Sequence, residues 1–361
     1  MEDSSRSVPI EKHDYIDQIR AFAIIAVVVL HVVAMRWKDV PYNSFDWMVF
    51  NFYEAIVRWG VPCFVMISGA LYLSKPVNPT KLKRNICSLL FIYFIWSTVY
   101  SLVYNIAFAV LGRNNSISVS NILRDIILGH THMWFIPMIV GLYVTIPILK
   151  KLTESRAVMK YFLVLWLTFS IILPTCISVF SHFGNGIFGE ITDIMDSFIG
   201  MFRLDIFGTY IGYFVLGYYL HVTKINKAFQ KGLICMLVGV FATVLISSIG
   251  SIVSMHATDI FYEANIISNF LVAMGVYLCN KQRTINNLWI KNFIKKISDK
   301  SFGIYLIHVL FIGVLGALGL DTLVVHPIVA VPIISAFVVM ISYFTVLIIG
   351  KIPIICKILY K

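Results

Sequence analysis

Ten apolar runs, each about long enough as a helix to cross a bilayer, decide what this chain can fold into. They occupy 16–36, 48–73, 85–111, 131–149, 159–180, 204–222, 229–250, 259–280, 301–320 and 327–350. Backbone in hydrocarbon has no water to bond to, so each run must close its own hydrogen bonds as an α-helix. The expected class is all-α, a polytopic membrane bundle of about ten transmembrane helices. Composition agrees: 59% of the 361 residues are hydrophobic and 13% charged, with mean hydropathy +0.86. That excludes an ordinary soluble domain. The expected organisation is a short polar N-terminus at 1–15, a membrane domain at 16–350 and a basic tail at 351–361. The polar start holds Glu2, Asp3 and Glu11 and lacks the layout of a cleaved signal, so the first run is read as retained.

The net charge of +11 invites a nucleic-acid reading, but its distribution explains it otherwise. With the N-terminus inside, all but six of the 29 cationic residues fall on the inner side; the six are Arg36, Lys38, Arg58, Arg113, Arg124 and Arg203. This is the positive-inside pattern. An even number of spans places both termini in the cytoplasm, in a multi-pass protein of the inner (cytoplasmic) membrane whose partner is the lipid bilayer, not nucleic acid. The acidic outer segment with Glu190, Asp193 and Asp196 fits. Cys63, Cys87, Cys176, Cys235, Cys279 and Cys356 are scattered without a C-x-x-C pair and read as small buried hydrophobes. Pro62, Pro137, Pro147 and Pro174 fall inside runs, where the carbonyls they free need other partners. Gly208-x-x-x-Gly212 suits close helix packing.

Ionisable residues inside the runs are the candidates for chemistry, because each is costly in a membrane unless it faces a wet, paired or functional interior. Arg20 and His31 stand eleven residues apart in the first run. Eleven steps of ~100° return to within ~20° of the same face, and the rise is ~16 Å. They therefore mark a polar stripe running about halfway through the hydrocarbon. A neutral imidazole suits general-base work on a hydroxyl; a histidine bonded between helices is the plainer reading. Asp17, one turn before Arg20, can pair with it and fix its direction, or be a simple interfacial ion pair.

Glu54 and Arg58 form an (i, i+4) pair ahead of Gly60-Val61-Pro62, suited to a cavity wall or to a structural pair near the outer interface. His130-Thr131-His132-Met133-Trp134 opens the fourth run. His132 can line an outer mouth and Trp134 can stack on a sugar ring, although an interfacial aromatic belt also predicts a Trp there. No carboxylate or cysteine accompanies the two histidines at ligand spacing, so no metal is expected. Lys81, Lys83 and Arg84 start the third run, where a helix N-terminus with three cations makes a phosphate dock or a headgroup contact. Ser301, Tyr305 and His308 recur at i, i+4 and i+7 and share one face. Packing polarity accounts for the first two more easily than for His308.

Four segments together resemble the acyltransferase-3 family of integral membrane acyltransferases. They are Asp17-x-x-Arg20-x10-His31, Arg58-x-x-Val61-Pro62-x-Phe64-x-Met66-x-Ser68-Gly69, His132-x-Trp134-Phe135 and Ser301-x-Gly303-Ile304-Tyr305-x-x-His308. They occur in the family's order, and the resemblance covers essentially the whole chain. Within the family it looks most similar to the branch containing the enterobacterial common antigen O-acetyltransferase. The resemblance implies an O-acetyltransferase that takes acetyl from cytoplasmic acetyl-CoA and delivers it to a glycan or lipid-linked sugar across the membrane. It makes Arg20, His31 and His308 the catalytic candidates. Glu54, Arg58, His132, Trp134, Ser301 and Tyr305 become candidates for binding the acceptor or stabilising the oxyanion. Asp17, Lys81, Lys83 and Arg84 become candidates for binding the donor. Two lysines stand where the family is richer in arginine, and lysine lacks arginine's bidentate grip on phosphate. A transporter or flippase of a small molecule or glycan precursor would also place charge in a membrane cavity. Such folds often carry internal repeats, and no inverted or tandem repeat is visible here.

Overall fold

The computed structural model describes residues 14–110, 119–184, 189–190, 194 and 208–351. Apart from Asp14, Tyr15 and Lys351, the expected N-terminal stretch and tail lie outside these residues, as do Arg113, Arg203, Asp193, Asp196 and Cys356. The described part contains helices and no strands. The first six are α1 (Asp14–Val33), α2 (Phe45–Val57), α3 (Gly60–Leu73), α4 (Pro79–Val110), α5 (Val119–Leu128) and α6 (Phe135–Leu152). There follow α7 (Arg156–Leu167), α8 (Leu173–Phe183), α9 (Thr209–Val222), α10 (Ala228–Ser254), α11 (Ile267–Gln282), α12 (Leu288–Ala317) and α13 (Pro327–Ile349).

Among the described residues, nine helical stretches are long and apolar enough to cross a membrane. The tenth expected run, 204–222, is represented by the 14 residues of α9. At ~1.5 Å per residue that falls short of ~30 Å of hydrocarbon; positions 204–207 are outside the described residues. Two runs are interrupted where proline dictates. The second breaks at Arg58-Trp59 and restarts as α3, with Pro62 in its first turn. The fifth passes through a π-helical turn, Thr168–Ile172, just before Pro174. Thr175 Oγ1 donates back to the Ile171 carbonyl there at 2.7 Å and also accepts from the Ile267 backbone N–H at 2.9 Å, tying the turn to the start of α11.

Helices in lipid gain little from burying apolar side chains against each other, since lipid is equally apolar; close backbone approach does more. The sequence arranges for it. The buried residues of α10 are Ala228, Gly232, Gly239, Thr243, Ser247, Gly250 and Ser251, while Ile234, Leu237, Phe241 and Ile252 point outward. Gly232 and Gly275 of α11 face each other so closely that a Cβ on either would lie 2.5–2.7 Å from the other's carbonyl oxygen. Between α3 and α9 the fit is tighter: a Cβ at Gly69 would sit 1.8 Å from the Phe214 carbonyl oxygen, and one at Gly217 2.0 Å from that of Met66. Gly212 receives the face of the Trp166 ring, while Gly208 begins α9 at φ 41°.

α1 is the central rod, packed against α2, α3, α11, α12 and α13. Its first turns (Tyr15, Ile16, Ile19) join a core with α3, α6, α9 and α11. Its later turns (Ile24, Val28, Val32) join a second core with α4, α12 and α13. Phe64, Leu89 and Phe135 touch both cores, and the space along this seam becomes the site described below.

Ion pairs close the two ends of the bundle. At the α1 N-terminus, Lys291 meets Asp14 at 2.5 Å. Lys281 Nζ donates to the His221 and Thr223 carbonyls at 3.0 and 2.8 Å, capping α9. At the opposite end Arg36 meets Asp321 at 2.7 Å and Lys38 meets Asp259 at 2.7 Å. The Lys38 hydrogen bond holds the Asp259 carboxyl below its ordinary value. A carboxyl depressed in the folded state contributes fully above its unfolded pKa, ~3.9, and loses that contribution as pH falls through the lower folded value. Asp259→Asn is therefore expected to lower stability by about 0.2–1 kcal/mol at pH 7, the range for an exposed, screened pair. Thermal midpoints of the two proteins should converge in acid; a gap unchanged at low pH would contradict this.

Candidate active site

Arg20 and His31 line one cavity of about 680 Å³. Their common α1 face spans ~16 Å, and four other helical stretches line the cavity alongside it. From α3 come Phe64, Ser68 and Tyr72; from α4, Lys81, Arg84, Asn85 and Ser88. The segment entering α6 gives His132 and Trp134, α6 itself gives Tyr143, and α12 gives Ser298, Asp299, Ser301 and Tyr305. On α4 the spacing i, i+3, i+4, i+7 explains why Lys81, Arg84, Asn85 and Ser88 share one face. Asn78 Oδ1 accepts from the Lys81 backbone N–H at 2.9 Å and starts that helix. The cavity thus has a cationic end, with Arg20, Lys81 and Arg84, and a histidine end.

Asp17 lies behind Arg20 and does not line the cavity. One of its oxygens sits 3.6 Å from Arg20 Nη1 and accepts from Ser298 Oγ at 2.7 Å; the other faces Lys295 Nζ at 3.6 Å. The carboxylate ties α1 to α12 and fixes the guanidinium's base. Tyr72 accepts from Asn85 Nδ2 at 3.1 Å, and its ring lies 4.4 Å from that of Tyr143.

At the other end three imidazoles converge. The His31 ring is 5.2 Å from His308 and 6.2 Å from His132, which are 5.5 Å from each other. His308 is fully buried and does not line the cavity. Its Nδ1 meets only backbone carbonyls, Tyr305 at 2.8 Å and Ile304 at 3.1 Å. A carbonyl accepts, so Nδ1 carries the hydrogen and Nε2 the lone pair. Tyr305 Oη donates to the His132 carbonyl at 2.8 Å, binding α12 to the entrance of α6. Ser301 lines the cavity while its hydroxyl donates to the Ser298 carbonyl at 2.8 Å.

Not every candidate reaches the cavity. Arg58 Nε donates to Glu54 Oε2 at 2.7 Å, and the guanidinium lies over the Tyr262 ring at 4.9 Å. Neither Glu54 nor Arg58 lines the space, because the break at Arg58-Trp59 separates α2 from the lining face of α3. Lys83 is exposed and, unlike Lys81 and Arg84, does not line the cavity. Trp134 is 45% exposed, lies 5.6 Å from the Tyr210 ring and lines the cavity.

Sequence reasoning missed Ser68, Tyr72, Asn85, Ser88, Tyr143, Ser298 and Asp299 as polar lining residues. Asn85 and Ser88 had a signal in their helical spacing from Lys81, Ser298 in its spacing from Ser301 and Tyr305, and Ser68 and Tyr72 in being one turn apart on α3; Tyr143 and Asp299 are single positions on α6 and α12. Among the described residues, no group of three or more His, Cys, Asp or Glu is placed to hold a metal ion. His130, just before the fourth span, has its imidazole pushed down by burial, against the pull of Asp125.

No curated protein and no solved structure matches the chain. The model describing the acyltransferase domain of the acyltransferase-3 family matches residues 13–347. That match runs from α1 to α13 and takes in both ends of the cavity, so the chain belongs to the acyltransferase-3 family.

Proposed function

We propose that the protein is a membrane O-acetyltransferase, of the branch that contains the enterobacterial common antigen O-acetyltransferase. Cytoplasmic acetyl-CoA is the donor, and a hydroxyl of a glycan or lipid-linked sugar on the far side is the acceptor. The observation that carries this reading is the single cavity with cations at one end and imidazoles at the other. Donor phosphates fit Arg84, Lys81 and Arg20, with arginine supplying the paired donors that suit phosphate oxygens. The positive-inside distribution supports a cytoplasmic location for that end. His31, which lines the cavity, removes the proton from the acceptor hydroxyl. His308 stands behind it as a fixed acceptor. The hydroxyl oxygen bonds to the thioester carbon, the C–S bond breaks, and the proton passes from His31 to the departing thiolate. Trp134 offers the acceptor sugar an aromatic face.

The test uses membranes containing the full chain and radiolabelled acetyl-CoA. Label should pass into glycan, and Arg20→Ala should raise the acetyl-CoA KM at least tenfold, about the worth of a hydrogen bond to a charged group. Substrate movement across the membrane without transfer of label would overturn the proposal in favour of transport.

A further inference from the structure

Acyl transfer to a hydroxyl needs an acceptor for the departing proton and a hydrogen-bond donor for the carbonyl oxygen that becomes an oxyanion. His308 cannot supply the donor, since its hydrogen is committed to the Tyr305 carbonyl. His132 lines the cavity, is 3% exposed, and its Nε2 is buried without a partner among the described residues. Its Nδ1 lies 2.9 Å from Nδ1 of His130. Two ring nitrogens at that distance share one hydrogen, and whichever ring holds it fixes what His132 presents to the cavity.

His130 is built for that task. Its ring lies 4.9 Å from those of both Tyr100 and Tyr104 and within 27° of parallel to each, and these two rings are themselves 6.2 Å apart. Tyr100 Oη donates to the Leu306 carbonyl at 2.9 Å, anchoring the stack to α12. Gly129, at φ 71°, turns the chain out of α5 into this position.

We propose that His130 is a positioning residue: it donates Nδ1–H to His132 Nδ1 and so holds His132 as the Nε2–H tautomer that donates to the thioester oxygen. This rests on the acyl-transfer reading of the cavity. In the step, the acceptor's proton goes to His31 as its oxygen bonds to carbon, and the carbonyl pair moves onto the oxygen that faces His132 Nε2–H. Collapse breaks the C–S bond, and the thiolate leaves with the proton from His31. His130 gains and loses nothing; it sets the direction of one N–H.

Two variants separate the hydrogen bond from the stacking. His130→Phe keeps a ring against Tyr100 and Tyr104 and removes the donor. His130→Asn removes the ring and keeps an amide N–H near the place of Nδ1. In the labelled-acetyl assay His130→Phe is expected to lose about 100-fold in kcat, as for a missing oxyanion donor, with the acetyl-CoA KM unchanged. His130→Asn should stay within about fivefold of the parent, because its N–H still reaches His132. Parental kcat in His130→Phe, or a loss in His130→Asn as large as in His130→Phe, overturns the assignment. If transfer depends on His31 while His130→Phe matches the parent, this assignment alone falls. If the parent transfers no label, the acyl-transfer reading falls and takes this one with it.

Discussion

His31→Ala is expected to lower kcat for acetyl transfer by about two to four orders of magnitude, the usual worth of a positioned general base. The acetyl-CoA KM should stay near its parental value, since the cations that meet the donor are ~16 Å away along α1. Insertion should also survive. His31 is half-buried and faces the cavity, while Ile24, Val28 and Val32 hold the rod in its core. His308 and His132 would remain at 5.5 Å from each other, but His308 does not line the cavity and His132, which does, presents an N–H there on the proposed assignment. The contrast with Arg20→Ala is the informative part: one change should act on kcat and the other on KM. A His31→Ala protein that inserts normally and acetylates at the parental rate would remove His31 from the mechanism.

Gly69→Ala is expected to destabilise the bundle by about 3 kcal/mol or more, at or beyond the usual cost of overpacking. The added carbon would meet backbone, 1.8 Å from the Phe214 carbonyl oxygen and 2.6 Å from its carbon. No rotamer change relieves such a contact, so α3 and α9 must separate. The reciprocal contact of Gly217 with Met66 would open with it, and α3 also carries Phe64, Ser68 and Tyr72 of the cavity. Gly141→Ala is the control: it has nothing within 4 Å and should be neutral or slightly stabilising, because alanine favours helix over glycine by about 1 kcal/mol. Thermal midpoints of the detergent-purified proteins check both expectations. A Gly69→Ala midpoint equal to that of Gly141→Ala would refute the argument.

What could be read in advance follows from how local each signal is. Span length and hydropathy are properties of contiguous sequence, so the all-helical membrane bundle was legible. The shared face of Arg20 and His31 was legible too, because helical periodicity fixes it without reference to any neighbour. The break at Arg58-Trp59 was suggested by Pro62, but its consequence was not: whether Glu54 and Arg58 would face the same space as Phe64 depends on how two short helices dock. The meeting of His31, His132 and His308 depends on packing among α1, α6 and α12, and no spacing in the sequence encodes it. Tyr143 escaped for the same reason, looking like one aromatic among many in an apolar helix. The inward stripe of small residues on α10 has its sign reversed from soluble proteins. Hydropathy alone would have turned its Leu and Phe side inward, although lipid is the better host for them.

Arg20 and His31 ride on one unbroken helix, Asp14–Val33, so the interval between them is as stiff as the rod. On the proposed chemistry that rod works as a ruler. It gauges the arm between a carrier's anionic head and its reactive sulfur, and thioesters on short arms would fall out of reach of one mark or the other. The length of the acyl group itself would be read beyond the second mark, so a change of acyl preference could arise there without disturbing the grip on the carrier.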